Sequence, residues 1–66
     1  MTEGFIYSVS MRTPDGENAT WFEIMTVIGG REHWSKDHSY KTEAEARAAA
    51  ATECDTVDPV LYSKAL

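Results

Sequence analysis

Hydrophobic and polar positions alternate from the start of the chain. Phe5, Tyr7, Val9 and Met11 fall on one side of an extended segment, and Ile6, Ser8, Ser10 and Arg12 on the other. A period of two with aromatic and β-branched residues predicts a strand over Phe5–Arg12 with one buried face. Met1–Gly4 before it is expected to fray. Thr13-Pro14-Asp15-Gly16-Glu17-Asn18 follows and reads as a hairpin loop. Proline presets φ, aspartate bonds its own backbone, and glycine accepts positive φ. Thr20–Ile28 is the strongest strand, with Phe22, Ile24, Thr26 and Ile28 on one face and Trp21, Glu23, Met25 and Val27 on the other. Gly29-Gly30 is a hairpin turn signal. Arg31–Ser35 predicts a third, shorter strand, with Glu32 and Trp34 on one face and Arg31, His33 and Ser35 on the other. Lys36–Ser39 is polar and predicts a loop.

The period then changes. Thr42-Glu43-Ala44-Glu45 is a capping box: the threonine hydroxyl takes a helix amide, and Glu45 reaches back to the cap amide. Acids in a first turn also suit the positive end of the helix dipole. The alanine-rich run to about Cys54 consists of the strongest helix former. Ala44, Ala48 and Ala51 form one small-residue stripe, with Cys54 near its end. Asp58-Pro59 stops regular structure. Val57, Val60, Leu61 and Tyr62 are apolar enough to fold back over an edge of the core. The expected fold is therefore α+β: a three-stranded antiparallel sheet with one C-terminal α-helix packed on one face (βββα) and a short C-terminal tail. It forms one domain over residues 1–66.

Size changes the functional picture. A chain of 66 residues buries only about 60% of the surface it exposes unfolded. Pockets for drug-sized ligands run to roughly 300–1,000 Å³, so such a chain has little interior to spare for one. The expectation is a non-enzyme without a cofactor. A single cysteine, Cys54, permits no disulfide within the chain, and no apolar run suits a signal peptide or a bilayer span. These features predict a cytoplasmic protein. The start at Met1 with no long tail suggests a complete small gene product.

Chemical constellations are sparse. His33 and His38, with Asp37, Glu32 and Cys54, are the only possible metal set, and no two of them show zinc-finger spacing. They read as exposed polar residues. Cys54 sits near a helix C-terminus beside Glu53 and Asp55, where a thiolate is disfavoured. It reads as a small apolar residue against the sheet. The carboxylate pairs Glu43/Glu45 and Glu53/Asp55 have no pocket-forming neighbours, and Gly29-Gly30 precedes no helix, so neither acid–base catalysis nor phosphate binding is indicated.

Two features remain as functional candidates. The second strand is apolar on both faces, yet one helix covers only one, so Trp21 or Trp34 is a candidate anchor for a partner or a second copy of the chain. The charge is the other. Eleven acids oppose six bases, a net −5, which repels nucleic acid and anionic membranes and attracts a basic protein surface. Glu43, Glu45, Glu53, Asp55 and Asp58 follow the helix and its exit with only Arg47 between them, and Glu23 and Glu32 lie on the sheet. Carboxylates spaced several ångströms apart suit a groove shaped for a phosphate backbone.

The strand-strand-strand-helix order resembles the small DNA-binding domains of phage integrases, which read DNA through a three-stranded sheet. This sheet departs from them, offering Arg12 and Arg31 against Glu23 and Glu32. Trp21 to Ala50, with Ser39-Tyr40-Lys41-Thr42-Glu43-Ala44-Glu45-Ala46 within it, also resembles generic small bacterial domains in which this pattern carries no assigned chemistry. In size, charge and architecture the whole chain resembles small acidic phage-encoded anti-CRISPR proteins. That resemblance implies a monomeric inhibitor in the host cytoplasm, binding a basic nucleic-acid-binding subunit of a type I CRISPR surveillance complex and blocking its access to DNA. It contains no diagnostic motif, so the nominated acids rest on charge alone. The alternative is a small structural or accessory domain that binds through an exposed aromatic sheet face, the homodimer being one form of it. If the acids act as a nucleic-acid mimic, charge reversal at two or more helix acids abolishes inhibition in a DNA gel-shift assay with such a complex while circular dichroism stays native. Full inhibition by the reversed chain would refute mimicry.

Overall fold

The computed structural model describes residues 1–34 and 38–66. Strand β1 (Thr2–Arg12) and strand β2 (Asn18–Ile28) pair antiparallel, with Ile6 opposite Ile24 and Val9 opposite Trp21. The predicted loop joins them. Gly16, at φ 87°, donates its amide to the Thr13 carbonyl at 3.0 Å, and the Thr13 amide donates to the Glu17 carbonyl at 2.7 Å. The Thr13 hydroxyl donates to the Asp15 carboxylate, which holds the Asp15 carboxyl below its usual range. Gly29 and Gly30 both take positive φ, 59° and 81°, the geometry a two-residue type I′ turn needs. Strand β3 (Arg31–Trp34) follows, with Trp34 opposite Met25. The expected strand end at Ser35 and the first half of the Lys36–Ser39 loop, Lys36 and Asp37, lie outside the described residues. Tyr40 rejoins the same edge of β2: it exchanges backbone hydrogen bonds of 2.8 and 2.9 Å with Phe22.

Helix α1 (Glu43–Glu53) begins where the capping residue predicts. Thr42 is extended, and its hydroxyl accepts the Glu45 amide at 3.1 Å. The buried stripe, however, is Ala46 and Ala50, with Ala49 beside them, while Ala44, Ala48 and Ala51 are exposed. A helix whose apolar residues are all alanine carries no large side chain to mark its inner face, so either stripe satisfies the sequence pattern. Ala46 and Ala50 rest on Ile6 and Ile24, with Phe22, Tyr40 and Val57 packed around them.

The C-terminal segment is not a tail. Thr56–Ala65 forms strand β4, parallel to β1, and the sheet order is β3-β2-β1-β4. The fold is α+β with a mixed four-stranded sheet, not a three-stranded antiparallel one. The proline that suggested an end of regular structure sits in a bulge. Gly4 pairs with Val57 and Ile6 with Leu61, so two extra residues of β4 bow out around Asp58-Pro59. A bulge on an edge strand tolerates proline because no ladder bond is lost there. Arg47 secures it, donating from Nη1 to the Asp58 carbonyl and from Nη2 to the Pro59 carbonyl, each at 3.0 Å. Its Nε donates to Glu43 at 2.7 Å.

Pairing with β4 also draws in the N-terminus. Thr2–Gly4, expected to fray, belong to β1. The Thr2 amide donates to the Asp55 carboxylate at 2.7 Å, and the Asp55 amide donates to the Thr2 carbonyl at 2.9 Å. Here the chain leaves the helix directly over β1, and Gly4 allows the approach: a Cβ at Gly4 would lie 2.9 Å from Cys54 Sγ. Gly4→Ala is expected to destabilise the fold by about 1–3 kcal/mol through overpacking. Urea unfolding checks this, with Cys54→Ala in the Gly4→Ala background recovering part of the loss.

Candidate functional site

The helix covers the face of Ile6 and Ile24; among the described residues no helix covers the opposite sheet face. Cross-strand register assigns that face. Phe5, Tyr7 and Val9 of β1 stand beside Met25, Glu23 and Trp21 of β2. Trp34 of β3 stands beside Met25, and Tyr62 and Lys64 of β4 stand beside Tyr7 and Val9. Val9 and Met25 are nevertheless buried. Their cover comes from their own neighbours, large side chains that lie over the sheet instead of standing away from it.

The rings form a connected layer. Tyr7 and Tyr62 stack with centroids 5.3 Å apart, Phe5 meets Tyr62 edge-on at 6.0 Å, and Tyr7 meets Trp34 edge-on at 4.7 Å. These are the offset and edge geometries that aromatic quadrupoles favour, each worth about 0.5–1.5 kcal/mol beyond area burial. Trp21 donates from Nε1 to Glu23 at 2.6 Å. Lys64 places Nζ 4.3 Å from the Trp34 ring centroid. The Tyr62 hydroxyl donates to Asp58 Oδ2 at 3.0 Å, and Asp58 Oδ1 accepts the Val60 amide at 2.8 Å. One carboxylate thus closes the bulge and anchors a ring of the aromatic layer.

The nominated acids do not form one ridge. Glu23 and Glu32 lie on the aromatic face by register, whereas Glu43, Glu45 and Glu53 belong to the helix on the other side. Glu43 pairs with Arg47, Asp55 holds the Thr2 amide, and Asp58 is bound within the bulge. Glu45 and Glu53 are exposed. Trp21 and Trp34 do share one face. Sequence reasoning did not nominate Phe5, Tyr7, Tyr62 or Lys64 for this site. The alternation of Val60, Tyr62 and Lys64 was the signal for the last two, masked by the expectation that Pro59 ended regular structure.

Among the described residues no group of three histidine, cysteine or acidic side chains is placed to hold a metal ion. His33 and Glu32 point to opposite faces of β3, and Asp37 lies outside the described residues. Burial pushes the Cys54 thiol up, and Glu53 and Asp55 push it further. A surface hollow of about 290 Å³ at the far end of the sheet is lined by Ser10, Arg12, Asn18, Thr20 and the C-terminal Ala65–Leu66, with Met11 at its rim. No helix of the described residues is long and apolar enough to cross a membrane. Comparison with protein-family models, with curated proteins and with solved structures finds no match.

The hydrogen bond to Asp58, with burial and the Asp58 charge behind it, raises the Tyr62 hydroxyl above its ordinary value. The folded state therefore holds this proton more tightly than the unfolded chain. The stabilisation is complete below the ordinary tyrosine value near 10 and is lost as pH rises through the higher folded value. Tyr62→Phe is expected to show a shallower loss of stability than wild type between about pH 9 and 11 in urea titrations. Parallel curves would mean that the Tyr62–Asp58 bond contributes nothing.

Proposed function

We propose that this protein is a non-catalytic binding module that docks a basic protein surface on its aromatic sheet face. The observation that carries the reading is the segregation of side chains. Five of the seven aromatic residues, Phe5, Tyr7, Trp21, Trp34 and Tyr62, share the face that no helix covers. Tryptophan and tyrosine are enriched among the residues that dominate binding energy, because they supply rigid area and a polar tip together.

Charge supports a basic partner. Glu3, Glu23 and Glu32 occupy strand positions of the same face, against Lys64 as its one cation among the described residues. Carboxylates on the same face as the aromatic residues steer a positively charged surface toward it and set the register of docking. The chain exposes 4652 Å². A standard interface takes roughly 800 Å² from each partner, about a sixth of that surface and the scale of one sheet face.

The anti-CRISPR reading, with a nucleic-acid-shaped acidic surface presented to a type I complex, is the second proposal. It draws on the net charge and on the exposure of Glu45 and Glu53. It ranks lower because its acids are divided between two sides of the sheet.

One experiment separates the two. A partner captured by the wild-type chain is titrated with Trp21→Ala, Glu23→Lys and the double reversal Glu45→Lys/Glu53→Lys, each checked for native circular dichroism. The expected outcome is loss of about thirtyfold or more in affinity for the sheet-face variants, the scale of a hot-spot residue, with the helix variant close to wild type. The reverse pattern, in which only the helix variant loses the partner, would move the binding surface to the helix and sink the sheet-face reading.

A further inference from the structure

Lys64 identifies the kind of side chain the aromatic face accepts. It stands on β4, and Trp34 stands on β3, at opposite edges of the sheet with β1 and β2 between them. Adjacent strands lie about 4.8 Å apart, so the contact requires both side chains to reach over the sheet. Trp34 leans inward far enough to touch Tyr7 on β1, and Lys64 meets it there, its ammonium 4.3 Å from the ring centroid. That separation lies well within the range of about 6 Å over which a cation is drawn to an aromatic face. Among the described residues the one ion pair is Arg47–Glu43. The Lys64 ammonium therefore rests on the ring, although Glu23 and Glu32 share its face.

A lysine in this position is held weakly. Its side chain is exposed, and an exposed cation–π contact biases its population only about twofold to fivefold. The surroundings suit a stronger occupant. The Trp34 face is bordered by Tyr7, Tyr62 stacks on Tyr7, and carboxylates stand on the neighbouring strands. A planar guanidinium stacks on such rings and offers donors to nearby carboxylates, which a compact ammonium does less well.

We propose that Trp34, with Tyr7 and Tyr62 beside it, is a seat for an arginine side chain of a basic protein segment, and that Lys64 fills it as a displaceable stand-in. The inference rests on the docking reading above and adds to it the chemistry of the central contact. In the unbound protein Lys64 shields the tryptophan from water. On binding, the partner's arginine takes the ring, and the lysine swings out toward solvent.

The test uses the full chain and a capped peptide of arginines spaced by glycines, with a control peptide carrying neutral citrulline at the same positions. Affinities are measured for wild type, Lys64→Gln, Lys41→Gln and Trp34→Leu. Lys41 lies outside the four strands and Lys64 is the lysine on the Trp34 ring, so Lys41→Gln controls for net charge while Lys64→Gln also clears the seat. The expected result is that Lys64→Gln binds the arginine peptide about threefold more tightly than Lys41→Gln, while Trp34→Leu falls to the level of the citrulline peptide. Equal affinities for the two glutamine variants, or wild-type affinity in a folded Trp34→Leu chain, would overturn the proposal. If Trp34→Leu does not fold, the Trp34 indole N–H resonance decides. It is expected to move with the arginine peptide and not with citrulline, and a resonance unmoved by both overturns the seat. Should no chain bind the arginine peptide while Trp21→Ala still releases the captured partner, the seat fails and the docking surface stands.

Discussion

The parallel pairing of β4 with β1 is the interaction on which the rest of the structure depends. Without it β1 is an edge strand, the N-terminus has no partner, and neither Tyr62 nor Lys64 reaches the aromatic face. With it β1 becomes central, and Ile6 and Val9, on opposite faces of that strand, are its fully buried side chains. A parallel pair requires a crossover, and here the segment containing α1 supplies it. The local fit comes from Arg47, whose guanidinium ties the helix to the two carbonyls of the bulge, and from the Thr2–Asp55 exchange of hydrogen bonds at the start of the pair. Both arrangements satisfy backbone groups at a point where the ladder is interrupted, and unpaired groups there are costly.

A sheet has two faces, and this chain covers them by different means. On one side an alanine helix sits close because its inner residues are small. It contributes little apolar area of its own and serves mainly to exclude water from Ile6, Ile24 and Phe22. On the other side no helix of the described residues does this, and the strands' own aromatic residues form a connected layer around the buried Val9 and Met25. For a chain of this size, with so little buried surface, the second layer matters to stability as well as to recognition. The same rings that shield Val9 and Met25 present the surface a partner would meet.

The carboxylates show how far charge counting goes. The net charge predicts a solvated, negatively charged protein, and that property belongs to the composition. Three of the seven nominated acids turn out to have structural partners: Glu43 with Arg47, Asp55 with Thr2, and Asp58 with Val60 and Tyr62. A fourth, Glu23, holds the Trp21 indole. Only Asp55 has a partner distant in sequence; the partners of Glu23, Glu43 and Asp58 lie within four residues, yet which acids are engaged shows only in the folded geometry. A list of acids therefore does not distinguish a binding surface from a set of caps and clamps.

Local chemistry made much of the molecule legible from the sequence alone. The two hairpins, the side-chain alternation of β1, β2 and β3, and the helix start at Thr42 all follow from neighbours within a few residues: Pro-Asp-Gly, Gly-Gly, a period of two, and a hydroxyl three residues before an amide. The presence of Trp21 and Trp34 on a common face follows from the same alternation plus one hairpin turn. The tertiary structure decided the rest. Which alanines face the sheet depends on where the helix lands, since a residue without a distinctive side chain carries no phase. That Asp58-Pro59 is a bulge within a strand depends on β1 lying beside it and on Arg47 reaching its carbonyls. The encounter of Lys64 with Trp34 depends on the order of four strands, which no local pattern encodes, because the two residues become neighbours only when β4 returns to the far side of β1.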